Sequence, residues 1–198
     1  MSKIVIIKTS PHRNGNSDIL ADYFKKGTEE SGNSVEEIRL ADYKINYCMG
    51  CYGTSSSKAC TNTGTCWQND DMQKLIPVIQ NADVLVFATP VYFYSLSGQM
   101  KVFLDRTVPL YGGQYKFSDI YLLATSESGS KSAMNATIES LKGWIDCFSG
   151  TRLQGVAYGV GVLQPGAVKN RENELQEAYN MGKSIKYKRG KNEKSIRN

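Results

Sequence analysis

Apolar positions along the chain switch between two periods. Residues 3–9 (KIVIIKT) are a short run rich in β-branched side chains, which predicts a buried strand. SDILADYFKKGTEESG then sets Ile19, Leu20, Tyr23 and Phe24 on one helical face, with Gly32 as its stop. VEEIRL, with Val35, Ile38 and Leu40, predicts a second strand. Residues 44–69 hold no period. Asp70 or Asp71 is placed to cap a helix carrying Met72, Leu75, Ile76 and Ile79. Pro77 is expected to kink that helix or split it into two turns. ADVLVFAT is nearly continuous in apolar residues, as in a strand covered on both faces. SGQMKVFLDRTV returns to helical spacing through Met100, Phe103, Leu104 and Thr107, and DIYLLAT is the next strand. KSAMNATIESLKGWIDCFSG aligns Met134, Ile138, Leu141, Trp144, Ile145 and Phe148 on one stripe. TRLQGVAYGV makes a fifth strand, and RENELQEAYNMGKSIKY a closing helix.

Five strands alternating with five helices predict an α/β fold, a doubly wound parallel sheet with helices on both faces. Ligands in such sheets sit beyond the carboxyl ends of the strands, where the strand order reverses. The 198 residues fit one domain with a real core. Hydrophobic residues at 40% and charged residues at 22% exclude a disordered or membrane-spanning composition. No apolar run approaches a bilayer span. MSKIVIIKTS reads as a strand rather than a signal peptide, so the expected location is cytoplasmic. The formal net charge of +5 is concentrated at one end: seven basic residues against Glu193 lie between Lys183 and Asn198. The expected division is a domain over 1–187 and a basic tail over 188–198. The tail is read as a solvated terminus, with neither nucleic acid nor membrane as partner.

Three loops at the expected ligand edge carry candidate chemistry. SPHRNGNS leaves the first strand and opens the first helix. Free backbone N–H groups and the helix dipole favour an anion there. Ser10, Asn16 and Ser17 add short donors, His12 and Arg13 positive charge, and Gly15 room for the backbone to curl. Taken alone the stretch reads equally as a turn with Ser17 capping the helix. It has neither the GxGxxG nor the GxxxxGK[ST] spacing, so a single phosphate monoester suits it better than a pyrophosphate. TPVYFYSLSGQMK places Tyr92, Phe93 and Tyr94 in succession after Pro90, a wall for a flat ring, with Ser97 set to cap the following helix. TSESGSKSA crowds small residues around Gly129, which is either a plain capped loop or a second wall. A phosphate joined to a flat heterocycle satisfies all three loops, and FMN has that shape.

These segments resemble the NAD(P)H-dependent FMN reductase group of the flavodoxin-like superfamily. The family's phosphate loop, Ser-Pro-Arg-x-x-Gly/Ser-Asn-Thr/Ser, is similar to Ser10–Ser17, with His12 where the family has arginine and Arg13 one place later. ADVLVFATPVYFYSLSGQMKVFLDR, residues 82–106, resembles its second segment. The likeness spans residues 3–165 and implies strand order 2-1-3-4-5. The residues expected to bind FMN are Ser10, His12, Arg13, Asn14, Asn16, Ser17, Pro90, Val91, Tyr92, Phe93, Tyr94, Ser95, Thr125, Ser126 and Gly129. The resemblance further implies NAD(P)H and a small electron acceptor as partners, and a homodimer or homotetramer.

Of five cysteines, Cys48, Cys51, Cys60 and Cys66 crowd one stretch, and an odd count does not suit a disulfide framework. Cys48-x-x-Cys51 has metal-ligand spacing, compatible with zinc or an iron–sulfur cluster. Iron–sulfur flavoproteins of the superfamily resemble this loop but group their cysteines more tightly; Thr54 stands where their third cysteine falls. GTCWQNDDM is similar to cluster-free relatives, so the expectation is that no metal is bound. Cys147, beside an apolar stripe, is expected to be structural. His12 is the only histidine, and no residue pattern names an acid–base or nucleophilic catalyst. Tyr47, Tyr92 and Tyr94 are candidates for the acceptor side. The expected activity is hydride transfer from NAD(P)H to a quinone, flavin or nitro compound. A flavodoxin-type or iron–sulfur electron carrier is the alternative, and a nucleotide-binding regulatory module is a third.

Overall fold

The computed structural model describes residues 1–51 and 59–186. Thr54 and the basic tail at 188–198 lie outside the described residues.

Five parallel strands form one sheet in the order β2-β1-β3-β4-β5. They are β1 (Lys3–Lys8), β2 (Ser34–Arg39), β3 (Val84–Pro90), β4 (Asp119–Thr125) and β5 (Arg152–Gly159). The helices are α1 (Asn16–Glu30), a short α2 (Cys60–Thr63), α3 (Met72–Gln80), α4 (Gly98–Asp105), α5 (Asn135–Ile145) and α6 (Glu172–Lys183). β1 pairs with both β2 and β3, so the order reverses there and leaves a crevice at their carboxyl ends.

Because side chains alternate along a strand, each central strand feeds two cores. Val5, Ile7, Leu85, Phe87, Ile120 and Leu122 pack with α3, α4 and α5. Ile4, Ile6, Val84, Val86, Ala88 and Leu123 pack under α1 and α6. Complete burial on both faces explains why β1 and β3 read as unbroken apolar runs. α1 and α6 cross in backbone contact. A Cβ on Gly27 would land on the Tyr179 carbonyl, and one on Gly182 on the Phe24 carbonyl.

Local expectations hold with four corrections. DIYLLAT is β4 to the residue, and Ser97 caps α4 by accepting the Met100 N–H at 3.3 Å. Pro77 does not split its helix: α3 runs unbroken from Met72 to Gln80. The N-cap of α1 is Gly15 rather than Ser17, which lies inside the first turn. Tyr23 is exposed, because α1 buries a stripe through Leu20, Phe24 and Gly27 and turns Tyr23 outward. Cys147 is exposed rather than packed in the core.

Candidate functional site

The loops that follow β1, β3, β4 and β5 meet at the crevice. A cavity of about 190 Å³ is lined by Ser10, His12, Gly15, Asn16 and Ser17 on one side. Pro90, Val91, Tyr92, Thr125, Ser126 and Glu127 face them, and Val162, Leu163 and Pro165 close the end. A second cavity of about 610 Å³ adjoins it, lined by Val91, Tyr92, Phe93, Tyr94, Ser126, Glu127 and Ser128. The two share Val91, Tyr92, Ser126 and Glu127, so they form one continuous cleft.

The narrow end sits on the N-terminus of α1. The first intrahelical bond runs from the Ile19 N–H to the Gly15 carbonyl, so the backbone N–H groups of the first turn have no helical partner. These donors and the dipole make an anion seat. Gly15 lets the loop curl tightly: a Cβ there would lie 3.3 Å from Ser10 Oγ and 3.6 Å from the His12 carbonyl oxygen. Ser10 Oγ and the His12 backbone hydrogen-bond each other and fix the curl of the loop. Asn14 takes a left-handed φ of 57° to complete it.

Arg39, at the end of β2, holds this loop from behind. Its guanidinium donates to the carbonyls of His12 at 3.2 Å and Pro11 at 3.1 Å, and to Asp18 Oδ2 at 3.0 Å. The Arg39 and Asp18 side chains are only 12% and 6% exposed, so this pair is nearly dry. Burial holds the Asp18 carboxyl above the usual carboxylate range; the Lys8 and Arg39 cations pull against that without reversing it. Arg13 turns away to pair with Asp42 at 2.7 Å and does not line the cavity.

Asn16 has a structural task the sequence did not reveal. Its Nδ2 donates to the carbonyls of Val162 at 3.2 Å and Gln164 at 3.0 Å, and its Oδ1 accepts the Val168 N–H at 3.1 Å. The side chain is thereby committed to the segment after β5, leaving its backbone N–H for the anion seat. That segment is also zipped onto the β4 exit by Val162 N–H to Ser126 O and Gly161 N–H to Ser128 O, both 2.9 Å. Val162, Leu163 and Pro165 therefore form a fixed wall, and Glu127 is an acid in the cleft. Sequence reasoning missed these four: Val162, Leu163 and Pro165 lie in a segment without a motif, and Glu127 sits within TSESGSKSA, where only the small residues stood out. Gly129 does not line the cavity.

The aromatic wall is a two-residue hairpin. Tyr92 and Ser95 exchange N–H···O bonds of 3.2 and 3.0 Å, which leaves Phe93 and Tyr94 at the tip. Both have positive φ, 48° and 60°. That geometry ordinarily selects Asn-Gly. A side chain there costs roughly 1–2 kcal/mol per residue. Phe93 is fully exposed and Tyr94 largely so. Below the turn, Ser97 Oγ donates to Thr9 Oγ1 at 3.0 Å and so ties the exits of β1 and β3 together.

Cys48, Cys51 and Cys66 lie near enough to Cys60 to add to the upward push that burial gives its thiol. Arg106, 1% exposed, makes a two-pronged ion pair with Asp70, 3% exposed, at 2.6 and 2.9 Å. It also donates to the Asn46 carbonyl at 2.7 Å and to Cys66 Sγ at 3.4 Å, pinning the cysteine loop to the end of α4. Among the described residues no three His, Cys, Asp or Glu side chains converge on a point that would hold a metal ion.

Residues 2–161 match the family model of NADPH-dependent FMN reductases. The chain belongs to that family. Within it, an iron-sulfur flavoprotein of Archaeoglobus fulgidus is 34% identical over 189 residues, covering 92% of this chain and 78% of the relative. An iron-sulfur flavoprotein of Methanocaldococcus jannaschii is 30% identical over 192 residues, covering 92% and 95%. Among solved structures, this FMN reductase family member superposes on an NAD(P)H:quinone oxidoreductase from Methanothermobacter marburgensis with a TM-score of 0.73. That pair is 18% identical, over 96% of this chain and 98% of the other. An FMN-dependent NADH-azoreductase from Bacillus anthracis, in complex with FMN, gives a TM-score of 0.65 at 15% identity, over 91% and 97%. At those identities the superpositions establish the shared flavodoxin-like fold. No helix among the described residues is long and apolar enough to cross a membrane.

Proposed function

We propose that the protein is an FMN-dependent oxidoreductase that takes hydride from NAD(P)H and reduces a small acceptor such as a quinone, a flavin or a nitro compound. One observation carries this reading. The small cavity at the N-terminus of α1, beside Gly15, opens directly into an aromatic-walled cleft at the strand-order reversal. The residues present fit FMN. Ser10, His12, Asn14, Ser17 and the first-turn N–H groups would hold the phosphate, with Arg13 close by. Pro90, Val91, Tyr92, Phe93, Tyr94, Thr125 and Ser126 would flank the ring, with Ser95 closing the hairpin behind them. When bound, FMN supplies two-electron transfer between a nicotinamide and an acceptor. The chain's part is to seat the phosphate, hold the ring edge against backbone N–H groups and leave the outer mouth open to two successive substrates. For a quinone the balance closes: the hydride of NAD(P)H and one proton from water yield the hydroquinone and NAD(P)⁺.

Family membership supports the nicotinamide donor. Exposed Tyr47, Met49 and Trp67 beside the cysteine loop support contact between copies, as a homodimer or homotetramer. The working location is the cytoplasm. The cysteine loop is read as a metal-free flank of the site, with Tyr47, Tyr92 and Tyr94 toward the acceptor.

A second reading, an iron–sulfur flavoprotein electron carrier, is favoured by the Cys48-x-x-Cys51 spacing, with Cys60 and Cys66 in the same stretch, and by the relatives' being iron–sulfur flavoproteins. A visible spectrum with iron and sulfide analysis on anaerobically purified protein decides between them. The first reading expects a flavin spectrum alone, NAD(P)H consumption with a quinone, and a Cys60→Ser variant that keeps both. Near-stoichiometric iron and sulfide that vanish in Cys60→Ser, with a large fall in Tm, would carry the second.

A further inference from the structure

We infer that α4, the turn after it and α5 form a second binding site, for a small, neutral aromatic compound; it is separate from the cleft and does not rest on the flavin reading. A cavity of about 640 Å³ lies where the outer face of α4 meets α5 and the 3-10 turn Val108–Leu110, with Thr61 of α2 at its edge. It shares no lining residue with the cleft and is as roomy as the cleft's wider part. Small-molecule pockets span roughly 300–1,000 Å³, with mostly apolar and aromatic walls and a few polar groups. This cavity has that make-up: Leu104, Val108, Tyr111, Trp144 and Phe148 supply the walls.

The walls are already in place. Trp144 packs on Phe148 at 4.6 Å between ring centroids, lies nearly parallel to Phe117 at 6.0 Å and meets Phe87 edge-on at 5.6 Å. Its indole N–H donates to Thr107 Oγ1 at 2.9 Å, and that hydroxyl donates to the Leu104 carbonyl at 2.7 Å. The two helices are thereby braced against each other, and Trp144 offers a guest its ring alone. A wall that needs no ordering costs little on binding. Tyr111 is 59% exposed, an aromatic ring whose surface a guest would cover.

Charge and shape narrow the class. Among the described residues, Lys101 and Asp105 are the only charged side chains in the lining, and they satisfy each other at 2.6 and 2.8 Å. No unpaired charge is left to hold an ion. The exposed hydroxyls of Thr61 and Ser140 suit one polar substituent on a ring, as in a phenol. Four separate pieces of chain supply the lining, so this is a concave pocket rather than a flat helix face. That shape suits a compact compound better than a second chain.

The test uses naphthol, with naphthalene sulfonate as its anionic counterpart, on the full chain in excess FMN. Equilibrium dialysis should show one saturable naphthol site and much weaker binding of the sulfonate. Cys147 reports the location, because its exposed thiol belongs to the lining. Naphthol should slow alkylation of Cys147 by N-ethylmaleimide, read by peptide mass spectrometry, and leave that of Cys48 unchanged. Tyr111→Ala, at an exposed position, should weaken naphthol binding by up to about tenfold, the scale of one aromatic contact. Ser140→Trp, on the exposed side of α5, should fill the cavity and abolish both binding and protection. If that variant fails to fold, Tyr111→Ala and the protection of Cys147 decide. No saturable binding, or binding that leaves Cys147 unprotected and Tyr111→Ala unaffected, would overturn the inference. Equal affinity for the sulfonate would overturn the neutral class. Cys147 shielded without naphthol, with Ser140→Trp dissociating an oligomer in light scattering, would make this face a contact between copies and overturn the inference as well.

Discussion

Replacing Arg39 by methionine keeps the aliphatic stem and removes the charge that backs the loop between β1 and α1. The guanidinium makes three bonds of 3.0–3.2 Å, to Asp18 and to the carbonyls of Pro11 and His12. Taking one partner from a buried ion pair costs about 3–5 kcal/mol, because the other charge is left dry and unpaired. Lys8 also stabilises the Asp18 carboxylate, so the lower end, about 3 kcal/mol at pH 7, is expected. The pH dependence has a definite sign. The folded pKa of Asp18 is raised above its unfolded value, so its contribution to stability is fully present below the unfolded pKa and is lost as pH rises through the folded pKa. Without Arg39 the folded pKa climbs further. The damage in Arg39→Met should therefore be largest at neutral pH and shrink toward about pH 4, near the unfolded carboxylate value. Urea unfolding at both pH values, with Asp18→Asn and the double variant completing a cycle, measures this. The double variant should regain most of the stability but not the FMN affinity, since the Pro11 and His12 carbonyls stay unheld. Equal destabilisation at both pH values, or no rescue by Asp18→Asn, would refute the argument.

Other perturbations follow from the same geometry. Burial alone would raise the Asp70 carboxyl, but the Arg106 fork, with N–H groups from Asn46 and Met72, holds it below the usual range. That stability is present above the unfolded pKa and lost as pH falls through the folded one, and Arg106→Met should cost about 3–5 kcal/mol by urea unfolding at pH 7. Gly27→Ala drives a methyl into the Tyr179 carbonyl, so Tm should fall as expected for overpacking of about 1–3 kcal/mol or more. Tyr94→Gly releases a left-handed tyrosine and should raise stability by about 1 kcal/mol.

What the sequence made legible followed from periodicity. β4 and β3 announce themselves because burial on both faces makes them nearly continuous in apolar residues, and the ligand edge follows from strand alternation. Features that depend on two distant pieces of chain were silent. Gly27 and Gly182 look like weak points in helices until their helices cross. Arg39 is an ordinary strand-end cation until the β1 loop folds against it. Asn16 reads as a phosphate donor because its motif suggests one, yet the segment after β5 takes its side-chain amide. The Phe93–Tyr94 hairpin was hidden for another reason: it lacks the glycine or asparagine by which such turns are recognised.

The proposed seat of the FMN phosphate is the α1 N-terminus. Titrating flavin-free protein with FMN and with riboflavin, which lacks that phosphate, tests it most directly, read by quenching of flavin fluorescence. FMN should bind at least about tenfold more tightly, as the loss of charge-assisted hydrogen bonds requires. Asn16→Ala, which frees the 162–168 segment, should weaken FMN binding. Equal affinity for the two flavins, or no binding of either, would contradict it.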